Sequence, residues 1–157
     1  MFYCQHILGI GHLVRSMEIV KGLLQDFEVC FINGGKIVPD FEVPAGVRLV
    51  NLPAVETDTE FRELKPVDPD LTMAEVEERR RNTLLTVLDL YRPDVLVVEL
   101  FPFGRRRFSF ELIPLMERAK DLGTKVACSL RDIVVTKQDR ARHEAKICRL
   151  MNAYFDG

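Results

Sequence analysis

The sequence predicts an α/β fold, a Rossmann-like doubly wound domain in which helices cover both faces of a parallel sheet. Apolar runs typical of strands alternate with amphipathic segments typical of helices along the whole chain. Residues 94–98 are apolar after the first position, as expected for a strand that is buried on both faces. The 157 residues suit a single domain, 1–157, with about five to six strands.

The first half of the chain contains three predicted strands and one helix. The strands are predicted at residues 2–7, 28–32 and 47–51. The helix is predicted over 11–25, because apolar side chains recur along it at helical spacing. That apolar face consists of Leu13, Met17, Val20 and Leu24. Residues 53–70 contain three prolines and are expected to form a long, mobile polar loop.

The second half begins with a helix that a capping box opens. Thr72 and Glu75 form this box, and the helix is expected to end before Pro93. Its charged run, residues 77–81, is interpreted as a solvated helix face because opposite charges recur four residues apart. Further strands are predicted at 94–98 and 125–129, and further helices at 110–122 and 136–154. Pro114 is expected in the first turn of its helix, which Gly123 ends.

The composition excludes several classes of protein. With 47% hydrophobic and 29% charged residues, the chain has the balance of a globular protein with a core. Its net charge of −2 is unlike that of a general nucleic-acid binder. The longest apolar runs are too short to span a membrane, and the first residues show no signal-peptide pattern. We therefore expect a cytoplasmic protein without a transmembrane segment, either free or peripheral to a membrane.

The cysteines are expected to be free thiols. Cys4, Cys30, Cys128 and Cys148 form no CxxC pair, so a zinc site is not expected and we predict no metal. Three of the four fall in predicted strands and one falls on a helix, which favours free thiols in a reducing compartment.

Unusual residues follow four of the predicted strands. Ligands of doubly wound sheets bind outside the carboxyl ends of the strands, so these four segments would converge on one edge. The segments are Gly9-Ile-Gly-His12, Asn33-Gly-Gly35, residues 99–107 and Ser129-Leu-Arg-Asp132. Their convergence favours a functional site at this edge over four unrelated structural turns.

Gly9 and Gly11 lead into the first helix, where a tight turn presents free N–H groups to an anion. A nicotinamide or flavin site is not favoured, because Val14 stands where the dinucleotide fingerprint has a third small residue. A P-loop is absent, because Gly35-Lys36 is followed by Ile37 rather than by Ser or Thr. On the glycines alone, a tight turn without a ligand stays open as the alternative.

His12 and Glu99 are the candidate reactive side chains. His12 falls in the first turn of the helix, whose positive end disfavours imidazolium and favours the neutral form that a general base requires. An exposed or loop-capping histidine is the alternative. Glu99 ends an apolar strand, where a carboxylate is costly unless it meets a partner or a ligand. Residues 105–107 and Arg131 are the arginines that would supply a purely structural partner.

Four segments, in order, resemble one protein family. They read YCQHILGIGHLVRSMEIVKGL, FINGG, VVELFPFGRRRFSFEL and SLRDI. They are similar to the N-terminal half of a bacterial group of predicted glycosyltransferases with the two-domain GT-B fold. That group is distantly similar to the peptidoglycan lipid-intermediate N-acetylglucosaminyltransferase. The Gly-x-Gly-His-x-x-Arg pattern from Gly9 to Arg15 also resembles that of the nucleotide-sugar hydrolase of pseudaminic acid synthesis.

The resemblance implies sugar transfer or hydrolysis at a nucleotide-diphosphate sugar, which is a co-substrate, with no further cofactor and no catalytic metal. His12 would be the base that takes a proton from the acceptor hydroxyl or from water. The implied nucleotide-sugar contacts are Gly9, Gly11, Arg15, Asn33 and Gly34. The implied acceptor contacts are Glu99, Phe101, Arg131 and Asp132. A core position for Phe101 and mutual pairing of Arg131 with Asp132 are the alternatives.

Enzymes with the GT-B fold have two domains, and this chain has the length of one. The resemblance therefore implies an acceptor-side half that needs a C-terminal nucleotide-binding domain, in cis or in trans, and that turns over little alone. Two other interpretations stay open: a subunit of a split glycosyltransferase, and a non-enzymatic module that binds a sugar or a protein. An exposed carboxyl edge would also favour a homodimer.

Overall fold

The computed structural model describes residues 1–57, 63–130 and 140–156, the last of these with side chains from residue 144 onward. Its strands are β1 Phe2–Cys4, β2 Cys30–Asn33, β3 Arg48–Asn51, β4 Val55–Thr57, β5 Leu64–Pro66, β6 Val95–Glu99 and β7 Lys125–Ser129. Five of them form one parallel sheet in the order β3-β2-β1-β6-β7, and β4 pairs with β5. The predicted Rossmann-like parallel sheet is confirmed.

Four α-helices accompany the strands in the described residues. They are α1 Gly11–Leu23, α2 Met73–Tyr91, α3 Ser109–Asp121 and α4 Arg140–Tyr154, and a short 3₁₀ turn, Arg106–Phe108, precedes α3. Within the described ranges, no helix combines the length and the apolar character that crossing a bilayer requires.

Both faces of the sheet are covered, because successive residues of a strand point to opposite faces. Tyr3 of β1 and Leu96 of β6 pack in one apolar cluster together with α2 and α3. Phe2 and Phe31 lie on the other face in a second cluster with α1, and their rings stack with centroids 5.7 Å apart. The sheet is therefore doubly wound.

The strand order reverses between β1 and β6. The chain builds β2 and β3 on one side of β1 and then crosses over to build β6 and β7 on the other. In doubly wound sheets, the segments that leave two such strands diverge and open a crevice at the carboxyl edge. We call this edge, formed by the segments that follow β1, β2, β3, β6 and β7, the rim.

The region predicted as one long loop contains a hairpin. Val55 pairs with Pro66, and Thr57 pairs with Leu64, in antiparallel register. Val55 is buried, and Leu64 packs against the apolar cluster that contains α2. Burial of these isolated apolar side chains explains the pairing, so the prediction of a continuous loop over 53–70 is wrong for β4 and β5.

The predicted start of α2 is confirmed, but the prediction that its charged run is solvated is wrong at one position. Thr72 Oγ1 accepts from the Glu75 N–H at 3.3 Å, and the Thr72 N–H donates to Glu75 Oε2 at 2.7 Å. Arg80 is fully buried, because it stands four residues from Val76 and from Leu84 on the face that packs against the sheet.

β1 and α3 also differ from prediction, the first in its length and the second in the position of its proline. β1 ends at Cys4 rather than at residue 7, because its partner β2 ends at Asn33, directly opposite Cys4. Pro114 is the sixth residue of α3, not a first-turn residue, so the expectation for it is wrong. Burial of Leu112 and Leu115 against the sheet holds the helix across the proline, and Gly123, at φ 76°, follows its end as predicted.

Candidate active site

His12 and Glu99 meet at the point where the strand order reverses. His12 is the second residue of α1, which follows β1, and Glu99 is the last residue of β6. His12 Nδ1 lies 2.7 Å from Glu99 Oε1. The carboxylate is fully buried, whereas the imidazole is 18% exposed and reaches the rim. Glu99, which the sequence left with an arginine or a ligand as its partner, therefore pairs with His12.

This pairing sets the chemistry that the imidazole offers. An ionised carboxylate can only accept hydrogen bonds, so the shared proton is assigned to His12 Nδ1. Nε2 then carries the lone pair of the neutral ring. A buried carboxylate that orients a histidine through Nδ1 is the arrangement by which a histidine acts as a general base at its other nitrogen.

A tight turn fixes the backbone immediately after Glu99. Leu100 has φ 63°, in the left-handed region that non-glycine residues rarely adopt. The Leu100 N–H donates to the Ser129 carbonyl at 3.0 Å, and the Phe101 N–H donates to the Glu99 carbonyl at 2.9 Å. Strained conformations of this kind persist where the surrounding structure holds them, often at functional sites. Glu99 Oε2 is buried and has no hydrogen-bond partner among the described residues.

Arg15, one turn after His12, ties α1 to the end of β7. Its Nη1 donates to Ser129 Oγ at 3.0 Å, and its Nη2 donates to the Leu130 carbonyl at 2.9 Å. The guanidinium thus joins two of the rim segments on which the predicted site lies. A contact of Arg15 with a diphosphate stays a prediction.

The two glycines before and at the start of α1 border open space. A Cβ built on Gly9 or on Gly11 would meet no heavy atom of the described residues within 4 Å. Ile10, the N-cap residue of α1, makes no side-chain capping bond. The backbone here is therefore accessible to a ligand, and the contacts of Gly9 and Gly11 with a nucleotide sugar stay predictions.

The second glycine pair is closely packed. A Cβ on Gly34 would lie 2.3 Å from Gln5 Oε1, and a Cβ on Gly35 would lie 2.4 Å from the ring of His6. The Gly34 N–H donates to the Cys4 carbonyl at 2.9 Å, and the Gly35 N–H donates to the Asn33 side chain at 3.2 Å. In this conformation both N–H groups are used inside the protein.

Asn33 organises the polar contacts behind this loop. Its Nδ2 donates to Asn51 Oδ1 at 2.9 Å, which leaves its Oδ1 as the acceptor facing His6 Nε2 at 3.1 Å. His6 therefore carries a proton on Nε2. Burial lowers the pKa of His6. The predicted contacts of Asn33 and Gly34 with a nucleotide sugar stay predictions.

Of the remaining predicted site residues, the structure describes Phe101. Phe101 lies in the core beneath the rim with 0% exposure, so a substrate would reach its ring only after a rearrangement. Its role as an acceptor contact stays a prediction. Arg131 and Asp132 lie outside the described residues.

Sequence reasoning missed a buried polar cluster beneath the rim. Arg80 and Glu111 are both fully buried and form a two-pronged ion pair, and Tyr3 and Gln5 bond to the same pair. Desolvation by burial is the largest cause that raises the pKa of Tyr3 well above its usual value, and the charge of Glu111 adds to it. The position of Arg80 among apolar residues at helical spacing was the signal available in the sequence.

The described cysteine side chains are free, as predicted. Burial raises the pKa of Cys4 to about 12 and the pKa of Cys128 to about 11, and the charge of Glu99 acts in the same direction on both. Cys148, on α4, is exposed.

A groove of about 470 Å³ lies at the opposite edge of the sheet, by the amino ends of the strands. Phe27, Cys30, Tyr91 and Val95 are among the residues that line it. The candidate active site at the rim rests on the contact between His12 and Glu99 and on the sheet topology.

Comparison with known proteins tests whether the chain belongs to a recognisable group. The parallel sheet and its switch point are shared by many unrelated functions, so the fold alone selects none of them. No protein-family model matches the chain, and neither a curated protein nor a solved structure matches it.

Proposed function

We propose that the chain is a glycosyltransferase-type domain that helps to transfer a sugar from a nucleotide-diphosphate sugar to a hydroxyl acceptor. The observation that carries this proposal is the 2.7 Å contact between His12 Nδ1 and Glu99 Oε1 at the switch point of the sheet. The sequence resemblance supplies the substrate class.

In the proposed reaction, His12 Nε2 takes the proton from the acceptor hydroxyl as that oxygen bonds to the anomeric carbon of the sugar. The bond between this carbon and the diphosphate oxygen breaks, and the nucleoside diphosphate leaves. Glu99 keeps the imidazole oriented and stabilises the imidazolium that forms. With water as the acceptor, the same steps give hydrolysis.

The start of α1 supports the departure of an anion. The first N–H groups of a helix lack partners within the helix, and the helix dipole places partial positive charge there. Ile10 does not cap α1 through its side chain, and the space over Gly9 and Gly11 holds no heavy atom of the described residues within 4 Å of a built Cβ. A diphosphate placed there would gain electrostatic stabilisation as its charge develops.

The proposal includes a second nucleotide-binding domain, in cis or in trans. In this proposal the described residues form the acceptor side of a cleft, and the second domain supplies the nucleotide-binding side. We expect this chain alone to bind nucleotide sugars weakly and to turn over little.

A second candidate function is a non-enzymatic binding module. Four large apolar side chains of the rim segments and of α1 are exposed by 41–51%, namely Leu8, Ile10, Val14 and Leu130. Exposed apolar groups clustered at one edge favour an interaction surface. In that case the dyad would contribute a contact and not a proton transfer.

The deciding experiment starts from the native protein purified from its source cell. Its intact mass shows whether this chain is produced alone or joined to a second domain. Release of nucleoside diphosphate is then followed by chromatography across a panel of nucleotide-diphosphate sugars and hydroxyl acceptors. Turnover that His12→Ala abolishes supports the enzyme, whereas sugar or protein binding without turnover, weakened by His12→Ala, supports the module.

A further inference from the structure

We propose that Arg80 is the positioning residue of the rim, because its guanidinium holds in place the three segments that follow β1, β2 and β3. Arg80 has 0% exposure, so it touches no ligand and acts only through the groups that it binds. That the rim binds a nucleotide sugar rests on the proposed function. That Arg80 holds the rim segments in place does not depend on it.

Every N–H of the Arg80 guanidinium has its own acceptor. Nε donates to Glu111 Oε2 at 2.7 Å, and Nη2 donates to Glu111 Oε1 at 2.7 Å and to Gln5 Oε1 at 2.7 Å. Nη1 donates to the carbonyl oxygens of Gly34 at 2.9 Å and of Pro53 at 2.8 Å. Since a guanidinium has five donors in one rigid plane, this set is saturated.

Three of the five acceptors come from three neighbouring rim segments. Gln5 follows β1, Gly34 follows β2, and Pro53 follows β3. Two of these three acceptors are backbone carbonyls, those of Gly34 and Pro53, so the hydrogen bonds to them hold the backbone of the two segments in place. Glu111 of α3 balances the charge, and the ring of Phe108 lies 5.3 Å from the guanidinium carbon.

The position of Gly34 also constrains the residues that pack against this glycine loop. Gly34 lies against Gln5, and Gly35 lies against the His6 ring, with no room for a Cβ at either glycine. Asn33, which precedes them, accepts from His6 Nε2. If Gly34 moves, the hydrogen bond between Asn33 and His6 is expected to weaken. The His6 ring would then no longer be held with its proton on Nε2, so the His6 tautomer reports on the position of Gly34.

The test compares Arg80→Lys with Arg79→Lys, an exposed neighbour on the same helix. Lysine keeps the charge but has three donors instead of five and no planar fork, so it cannot replace the full set. Hydrogen exchange of the Gly34 and Gly35 amides is measured relative to the amides of β6. Histidine ring ¹⁵N spectra report the tautomer of His6.

For Arg80→Lys we expect exchange at Gly34 and Gly35 to rise at least about tenfold more than exchange in β6, the effect of losing one or two anchoring bonds. We also expect the His6 spectrum to shift from the Nε2–H form towards a mixture. Arg79→Lys should change neither. Exchange that rises equally in the loop and in β6, or an unchanged His6 spectrum, would overturn the positioning role and leave Arg80 a general stabiliser.

A wild-type measurement covers the case in which Arg80→Lys does not fold. A buried guanidinium with all five N–H groups bonded should show separate, slowly exchanging Nη protons, assigned by selective arginine labelling. Averaged Nη signals would refute the saturated set. None of these readouts uses turnover or ligand, so failure of this proposal and failure of the proposed function are distinguishable.

Discussion

His12 and Glu99 are 87 residues apart in the chain, and their side chains meet at 2.7 Å. The contact joins the first turn of α1 to the last residue of β6, the two elements that flank the switch point of the sheet. A carboxylate buried at the end of an apolar strand is costly without a partner, and this imidazole provides one.

His12→Ala should lower nucleoside diphosphate release by about 10²- to 10⁴-fold in the native protein, because it removes the proposed general base. Glu99→Gln should have a smaller effect, since an amide can hold the ring but also favours the wrong tautomer. Lys21→Ala, on the exposed end of α1, serves as the control. Wild-type rates in His12→Ala, with the circular dichroism spectrum unchanged, would rule out His12 as the base.

Glu111→Gln should destabilise the fold by about 3–5 kcal/mol, because it leaves the buried charge of Arg80 without its counterion. The matched control is Asp89→Asn, which breaks the exposed pair with Arg118 and should cost less than about 1 kcal/mol. Urea unfolding measures both free energies. If both variants lose the same unfolding free energy, burial of the ion pair between Arg80 and Glu111 does not increase its contribution to stability.

Arg92→Gly should stabilise the protein by about 1 kcal/mol. Arg92 caps the end of α2 at φ 42°, a left-handed conformation that costs a side-chain-bearing residue more than it costs glycine. Arg79→Gly, in the exposed middle of the same helix, should instead destabilise by about 1 kcal/mol. The thermal unfolding midpoint should therefore rise above that of the wild type in Arg92→Gly and fall below it in Arg79→Gly. Midpoints that both rise or both fall would contradict the strain at Arg92.

Acid should weaken the fold in the range where histidine titrates. Burial lowers the pKa of His6, and the positive charges of Arg105 and His12 act in the same direction, whereas the bond to Asn33 opposes them. An unfolded histidine titrates near about pH 6.5, so below that pH the unfolded chain binds more protons than the folded one. The contribution of His6 to stability should therefore be complete above about pH 6.5 and should be lost progressively as the pH falls below it.

His6→Gln keeps an N–H donor for Asn33 but does not titrate, so its unfolding free energy should depend less on pH over this range. Urea denaturation at several pH values compares the two proteins. Parallel pH profiles for wild type and His6→Gln would show that another group causes the loss.

Alkylation should separate the cysteines by position. Cys148 is exposed and should react with iodoacetamide at about pH 8, as peptide mass spectrometry can show. Cys4, whose pKa is raised by burial to about 12, would be thiolate in only about one molecule in ten thousand at that pH. Cys4 should therefore react only after denaturation, and modification of the native protein at Cys4 would contradict its burial.

Most of the sheet was predictable because local patterns decide it. The apolar runs at β6 and β7, the helical spacing in α1 and the capping box of α2 each involve residues close together in the chain. The hairpin of β4 and β5 was missed because its apolar residues are few, and their burial depends on α2 packing over them.

The candidate site was predictable only in part. Local sequence placed His12 at the start of a helix and Glu99 at the end of a strand, and the rule for parallel sheets placed both on one edge. That the two side chains bond to each other depends on the strand order, which puts β1 beside β6. Local patterns do not specify that order.

Arg80 shows which features of this protein follow from local sequence and which follow only from the tertiary structure. By itself the sequence determined an α/β chain of alternating strands and helices, free cysteines and a set of polar residues after the strands. Only the tertiary structure decided that an arginine in a charged helical run lies inside, because its five acceptors come from segments that folding alone assembles. A buried charge is stable only where all its partners are present, and that condition is met in space, not along the chain.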